Sequence, residues 1–214
     1  MKKRTAILIS GRGSNMVSLI EAASAPDFPA EIALVVSNRP DAGGLARARA
    51  AGLATTVVDH TEFATRVAFE ARLHAQLMDA RIDLVCLAGF MRMLTGGFVD
   101  RWQDRLLNIH PSLLPAFPGL DTHQRVLDQG VLITGCTVHF VRVEMDSGPI
   151  IAQAAVRVLP GDTAETLGAR VLAAEHRLYP HALRLVASGE ARVEPGRVLT
   201  SAVNQGAPLF SPPL

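Results

Sequence analysis

Four short aliphatic runs alternate with helix-forming stretches over the first hundred residues. That alternation predicts an α/β fold with a single doubly wound, mainly parallel sheet flanked by helices. The runs are continuously apolar, as strands buried on both faces of a parallel sheet are. After Trp102 the pattern changes to longer strands joined by a turn at Asp146-Ser147-Gly148, which predicts an antiparallel hairpin on the C-terminal side.

In chain order, the first strand is the run at 6–9, stopped by Ser10-Gly11, and the next are at 32–36, 56–58 and 84–88. Between them, 16–23, 44–51 and 62–80 have helix-forming composition, with Thr61 placed to cap the last of these. Leu106-Leu107-Asn108-Ile109 then leads into a Pro-rich loop, a short helix at 124–128, a strand at 134–143 and its partner at 149–159. Asp162 and Glu165 stand three apart as a D-x-x-E capping box for a helix reaching Ser188, which Gly189 ends. A short hairpin is expected from Val193, and 206–214 has the composition of a loose end. No repeat or linker divides the chain, so one domain spans 1–214, in two halves of 1–100 and 101–190 with an extension at 191–214.

With 49% hydrophobic residues the 214-residue chain can bury a sizeable core. Lys plus Arg number 21 against 20 for Asp plus Glu, so no basic surface points to nucleic acid, and a small-molecule ligand is expected instead. Cys86 and Cys136 lie in apolar strands without C-x-x-C spacing, which reads as reduced thiols in the cytoplasm. The apolar stretch after Met1-Lys2-Lys3-Arg4 is too short for a signal peptide, and no run approaches a membrane span.

Two constellations carry chemistry. Ser10-Gly11-Arg12-Gly13-Ser14-Asn15 follows the first strand and opens the first helix, where free backbone N–H groups and the helix dipole suit a phosphate; an unliganded tight turn is the other reading of these residues. Met16 stands where a dinucleotide fingerprint needs its third glycine, and Ser37-Asn38-Arg39 ends the second strand without an acid, which argues against NAD. The second constellation is Asn108 and His110, two apart at a strand end and so on one side, read together with Asp146. An amide holds an oxyanion, an imidazole moves a proton, and a nearby carboxylate favours the charged ring, which is the equipment of an acyl-transfer enzyme. Taken singly, each of the three also fits a plain structural role. His110, His123 and His139 lack metal-ligand spacing, and no metal is expected.

Gly13-Ser14-Asn15, Leu87-Ala88-Gly89-Phe90-Met91-Arg92, the run from Asn108-Ile109-His110-Pro111 through Ser112-Leu113-Leu114-Pro115, Gly135-x-x-x-His139, Asp146-x-Gly148-Pro149-Ile150 and Glu175-His176 together resemble the glycinamide ribonucleotide formyltransferases. The resemblance runs over 5–189, and its long central motif is specific to folate-dependent formyltransferases. It implies the formyltransferase fold and a transfer of formyl from the co-substrate 10-formyltetrahydrofolate to the amine of glycinamide ribonucleotide, in purine synthesis, by a monomer or homodimer. Residue by residue it implies that Asn108, His110 and Asp146 are catalytic, that Gly13, Ser14, Asn15 and Glu175 bind the ribonucleotide, and that Arg66, Met91, Arg92, Met93, Leu94, Asn108, Arg142, Val143, Glu144, Met145 and Asp146 bind the folate. On this reading the first half binds phosphate, and the second binds folate and carries the catalytic trio. The resemblance further implies a cis bond between Leu114 and Pro115. Arg12 departs from the asparagine of the family's loop, where backbone rather than side chain meets the phosphate.

A formyltetrahydrofolate hydrolase would use the same trio with water as acceptor, and it carries an added N-terminal module where this chain starts with its first strand. A methionyl-tRNA formyltransferase needs a C-terminal domain, and only 189–214 follow the last helix here. A non-catalytic nucleotide-binding protein is the alternative from another class.

Overall fold

The computed structural model describes residues 1–195, 197–200 and 211. Strands β1 (Lys3–Ile9), β2 (Ala30–Ser37), β3 (Thr55–Val57), β4 (Leu84–Leu87), β5 (Leu106–His110), β6 (Ile133–Phe140) and β7 (Ile150–Arg157) form one seven-stranded sheet in the order β3-β2-β1-β4-β5-β6-β7. The first five strands are parallel, and β6 and β7 are antiparallel additions. Helices α1 (Ser14–Ala23), α2 (Gly43–Ala50), α3 (Arg66–Asp79), α4 (Gly96–Arg101), α5 (Thr122–Asp128) and α6 (Ala164–Ser188) complete the frame. A separate hairpin of β8 (Ala191–Glu194) and β9 (Arg197–Thr200) follows. The doubly wound parallel sheet and the antiparallel hairpin are as the sequence predicts; apart from Ser211, the loose end expected at 206–214 lies outside the described residues.

The period of two along β1 explains the layers. Ile7 and Ile9 join Met16, Leu19, Val171 and Leu183 in a core on one face, beneath α1 and α6. Ala6 and Leu8 join Phe69, Leu73, Leu77 and Trp102 in a core on the other, beneath α3 and α4. A strand covered on both sides must be apolar throughout, which is why β1 and β4 are legible as continuous runs.

Several local expectations are corrected. The cap of α3 is Thr65, whose hydroxyl accepts from Ala68 N–H at 3.1 Å. Thr61 lies instead in a 3-10 turn, where its N–H donates to Asp59 at 2.9 Å. The box ahead of α6 is made by Thr163 and Thr166 rather than by Asp162 and Glu165. Asp162 is drawn away to Arg170, 2.7 Å off, and to Leu159 N–H, which together hold its carboxyl far below the usual carboxylate range. Strand β6 ends at Phe140, three residues earlier than expected, because Phe140 N–H closes on Pro149 and the chain turns away. Helix α4 was not foreseen: Gly96 and Gly97 have poor helix propensity, and its start is fixed from outside by Glu70 of α3, which accepts from Thr95 N–H and hydroxyl. Helix α6 runs through Pro180, and the chain is cis at Leu114–Pro115.

Candidate active site

In the strand order 3-2-1-4-5 the chain reverses direction of winding between β1 and β4, and the carboxyl ends of those strands flank the crevice where open α/β sheets bind ligands. The loop after β1 lies there. Gly13 has φ +68°, a left-handed conformation that a glycine adopts without cost, and this turns the first N–H groups of α1 toward the crevice. Ser10 joins the two loops of the crevice: its hydroxyl donates to Asn38 Oδ1 at 2.6 Å and accepts from Met91 N–H at 2.8 Å. The resulting cavity of about 400 Å³ is lined by residues 10–15, by Asn38, Arg39 and His60 from the β2 side, and by 88–89 and 91–92.

Asn15 and Glu175, predicted from opposite ends of the chain, meet behind this loop. Asn15 Nδ2 donates to Glu175 Oε2 at 2.7 Å, both side chains are buried, and Asn15 Oδ1 has no protein partner. Burial pushes the Glu175 carboxyl above its ordinary range, opposed by the bond from Asn15. One amide oxygen thus stands beside one acid, and both can take a hydrogen bond from a ligand's amine or hydroxyl.

The structure brings Asn108, His110 and Asp146 together at the carboxyl end of β5. Strand β5 persists through His110, so the two side chains share a side as their spacing requires. His110 Nδ1 lies 3.4 Å from Asp146 Oδ2, and His110 Nε2 lies 2.8 Å from the Phe117 carbonyl. Both ring nitrogens face acceptors, an arrangement that accommodates the doubly protonated ring. Asp146 adopts φ +54°, held by Gly119 N–H donating to its carboxylate at 2.8 Å. Phe117, whose carbonyl this ring faces, also has positive φ, so two strained residues flank the imidazole.

His139, quoted in a motif but given no role from sequence, completes the group. It sits directly across the β5–β6 ladder from Asn108. Its Nδ1 faces the Phe140 carbonyl at 3.0 Å, which places a proton there, so Nε2 accepts from Asn108 Nδ2 at 3.3 Å. Burial lowers the affinity of this ring for a second proton, and outweighs Asp146 Oδ1 at 3.8 Å. One histidine of the pair is therefore neutral and fixes the Asn108 amide, leaving its second N–H for a ligand. His123, also without an assigned role, is held neutral by burial and by His110 nearby. The strand register would have revealed His139; the spacing of single letters does not.

The predicted folate residues fall into two facing segments. Met91 and Met93 are 70% and 50% exposed, and Val143 and Met145 are 51% and 54% exposed, in loops after β4 and β6. Val143 lies beside Gly96 at the start of α4, where an added Cβ would lie 3.5 Å from its methyl, so the loop after β6 comes close to the end of the loop after β4. Unpartnered apolar walls of this kind suit a flat heterocycle. Arg92 and Leu94 are half-buried in the first segment, and Arg66 is exposed one turn before Glu70, on the side of α3 that holds Thr95. Glu144 is exposed. Arg142 turns elsewhere: its guanidinium donates to Asp104 at 2.5 Å and to the Val141 carbonyl at 3.0 Å. Among the described residues no three His, Cys, Asp or Glu side chains converge as metal ligands, and no helix is long and apolar enough to cross a membrane.

Comparison with known proteins shows the family to which this fold belongs. Residues 3–183 match the formyl transferase family. The chain is 43% identical over 187 residues to the phosphoribosylglycinamide formyltransferase of Escherichia coli, covering 87% of this chain and 88% of that one. It is 50% identical over 198 residues to the trifunctional purine biosynthetic protein adenosine-3 of Bos taurus, 92% of this chain but only 20% of that protein, so it spans about a fifth of such relatives. The crystal structure of glycinamide ribonucleotide transformylase 1 from Symbiobacterium toebii superposes with a TM-score of 0.90 at 48% identity, covering 93% of this chain and 94% of that one. By the match across 181 of its residues, from 3 to 183, the chain belongs to the formyl transferase family.

Proposed function

We propose that the chain transfers the formyl group of 10-formyltetrahydrofolate directly to the amine of 5-phosphoribosylglycinamide, in the cytoplasm and as a step of purine (IMP) biosynthesis. The observation that carries this reading is the convergence of Asn108, His110 and Asp146 at one strand end, near a cavity lined by the glycine loop at the sheet's switch point. The whole chain acts as one domain, in which 1–100 supply the phosphate cradle and one wall of the folate cleft, 101–190 the other wall, Glu175 and the trio, and 191–214 an extension.

The backbone N–H groups of Gly13, Ser14 and Asn15 hold the substrate phosphate, and Glu175 with Asn15 receives the glycinamide end. This anchoring makes attack of the amine on the formyl carbon effectively intramolecular. The free N–H of Asn108, whose amide His139 fixes, and the ring N–H of His110 that faces Asp146 stabilise the tetrahedral oxyanion. The His110 N–H on the looser, 3.4 Å side gives its proton to the departing folate nitrogen, and the surplus proton of the attacking amine returns to the same ring nitrogen, so the transfer leaves the ring as it began. Met91, Arg92, Met93 and Leu94 line one wall of the folate cleft and Val143, Glu144, Met145 and Asp146 the other, with Arg66 at its mouth.

The test is an assay of 10-formyltetrahydrofolate with and without glycinamide ribonucleotide. Loss of the formyl-folate only with the amine present is expected. Equal loss without it would make the protein a hydrolase, and no loss in either case would leave a binding protein.

A further inference from the structure

The loop between β6 and β7, residues 141–149, carries Asp146, which Gly119 N–H holds at 2.8 Å, and few other bonds fix it. Its base is closed by Phe140 N–H on Pro149 at 2.9 Å, and Val141 N–H donates to Leu106 at 2.8 Å. Beyond that point Val143 and Met145 are exposed, and Ser147 bonds only within the loop, to Glu144. Among the described residues, the loop's ion pairs are those of Asp146 with His110 and His139 and one other, Arg142 Nη2 to Asp104 Oδ1 at 2.5 Å.

Asp104 stands in the turn between α4 and β5, two residues before the strand that carries Asn108 and His110, and holds φ +58°. Arg142 is oriented for it by a second bond to the Val141 carbonyl at 3.0 Å. The pair therefore ties the strand bearing two members of the trio to the loop bearing the third. It lies on the outer side of the loop, in a groove shared with Glu194 and Arg197 of the β8–β9 hairpin and away from the phosphate cradle.

We propose that Asp104 and Arg142 form a latch, a pair of positioning residues that holds the β6–β7 loop in the conformation that receives the folate. This rests on the functional reading above, in which that loop walls the folate cleft. A latch preorganises the loop, so its loss raises the cost of ordering it when the ligand binds. With the Arg142 side chain 23% and that of Asp104 41% exposed, the pair is partly screened, and the effect on folate affinity is about threefold, as for other such pairs.

The test compares Asp104→Asn, Arg142→Gln and the double variant. In each, KM for formyl-folate rises about threefold, the double variant is no worse than either single one, and the wild-type KM rises more steeply with salt than theirs. Asp104→Asn keeps its kcat. Exchanging the charges, Asp104→Arg with Arg142→Asp, restores KM. Amide hydrogen exchange across 141–149 in the ligand-free protein rises in both single variants. If Arg142→Gln raises KM and Asp104→Asn leaves it unchanged, Arg142 grips the folate itself and the latch is refuted; unchanged KM and exchange in both refute it too. If the wild type fails to transfer formyl while exchange rises in both variants, the functional reading falls and the latch stands.

Discussion

The two sides of this site are built on opposite principles. The phosphate cradle is made of backbone N–H groups at a helix start, backed by the buried pair Asn15 and Glu175 and tied across by Ser10. The side proposed to take the folate is made of exposed apolar side chains on two loops, one of them secured by a few bonds and a half-exposed ion pair. A phosphate presents fixed charge at fixed distance and rewards a rigid donor array; a heterocycle on a flexible tail rewards walls that can close after it enters. The trio sits at the seam, with Asn108 and His110 on the rigid strand and Asp146 on the looser loop.

That contrast can be broken or sharpened by substitution. The largest effect is expected at the seam: Asn108→Ala removes one oxyanion donor and should lower kcat by roughly 10²–10³ with little change in either KM. Near-normal turnover in single-turnover kinetics would deny Asn108 that role.

On the loop side, Gly148→Ala places a Cβ within 1.7 Å of the Phe140 carbonyl, a clash with backbone that no rotamer relieves. About 2 kcal/mol of stability should be lost, read from urea unfolding, with folate binding impaired more than ribonucleotide binding. Equal damage to both would mean that the loop and the cradle are not separate units.

On the cradle side, Glu175 titrates with its folded carboxyl raised by burial, so folding favours the protonated acid. Its contribution to stability is present below the ordinary carboxylate range and is lost as pH rises through the raised value. Glu175→Gln should flatten that part of the stability–pH profile, gaining on the wild type toward neutral pH while binding the ribonucleotide more weakly. Parallel profiles would place the charge in solvent.

The smallest effect is expected at Arg12, whose side chain is exposed on the rim of the cradle. Arg12→Asn should change KM for the ribonucleotide by less than about fivefold, the range of an exposed charge. A larger change would show that side chains as well as backbone grip the phosphate.

What the sequence disclosed divides along the same line. Strands β1 and β4 are legible because both their faces are covered, and Asn108 and His110 are legible because a period of two puts them on one side. The helix starts were misplaced at Thr61 and Asp162 because each has a competing partner, Asp59 in one case and Arg170 in the other. Helix α4 was invisible because its start is fixed by Glu70 from another helix. The part of His139 depends on strand pairing, and the turn of Arg142 toward Asp104 depends on a contact 38 positions away. Local propensity carries no information on such pairings.

The bond from Asn15 to Glu175 spans 160 positions of the chain. During synthesis, α1 and its glycine loop leave the ribosome long before the acid that backs them, and until α6 follows, the amide has no carboxylate to meet. A growing chain can thus fold its first strands before the loop at the start of α1 is backed, and that backing arrives only once the last long helix docks.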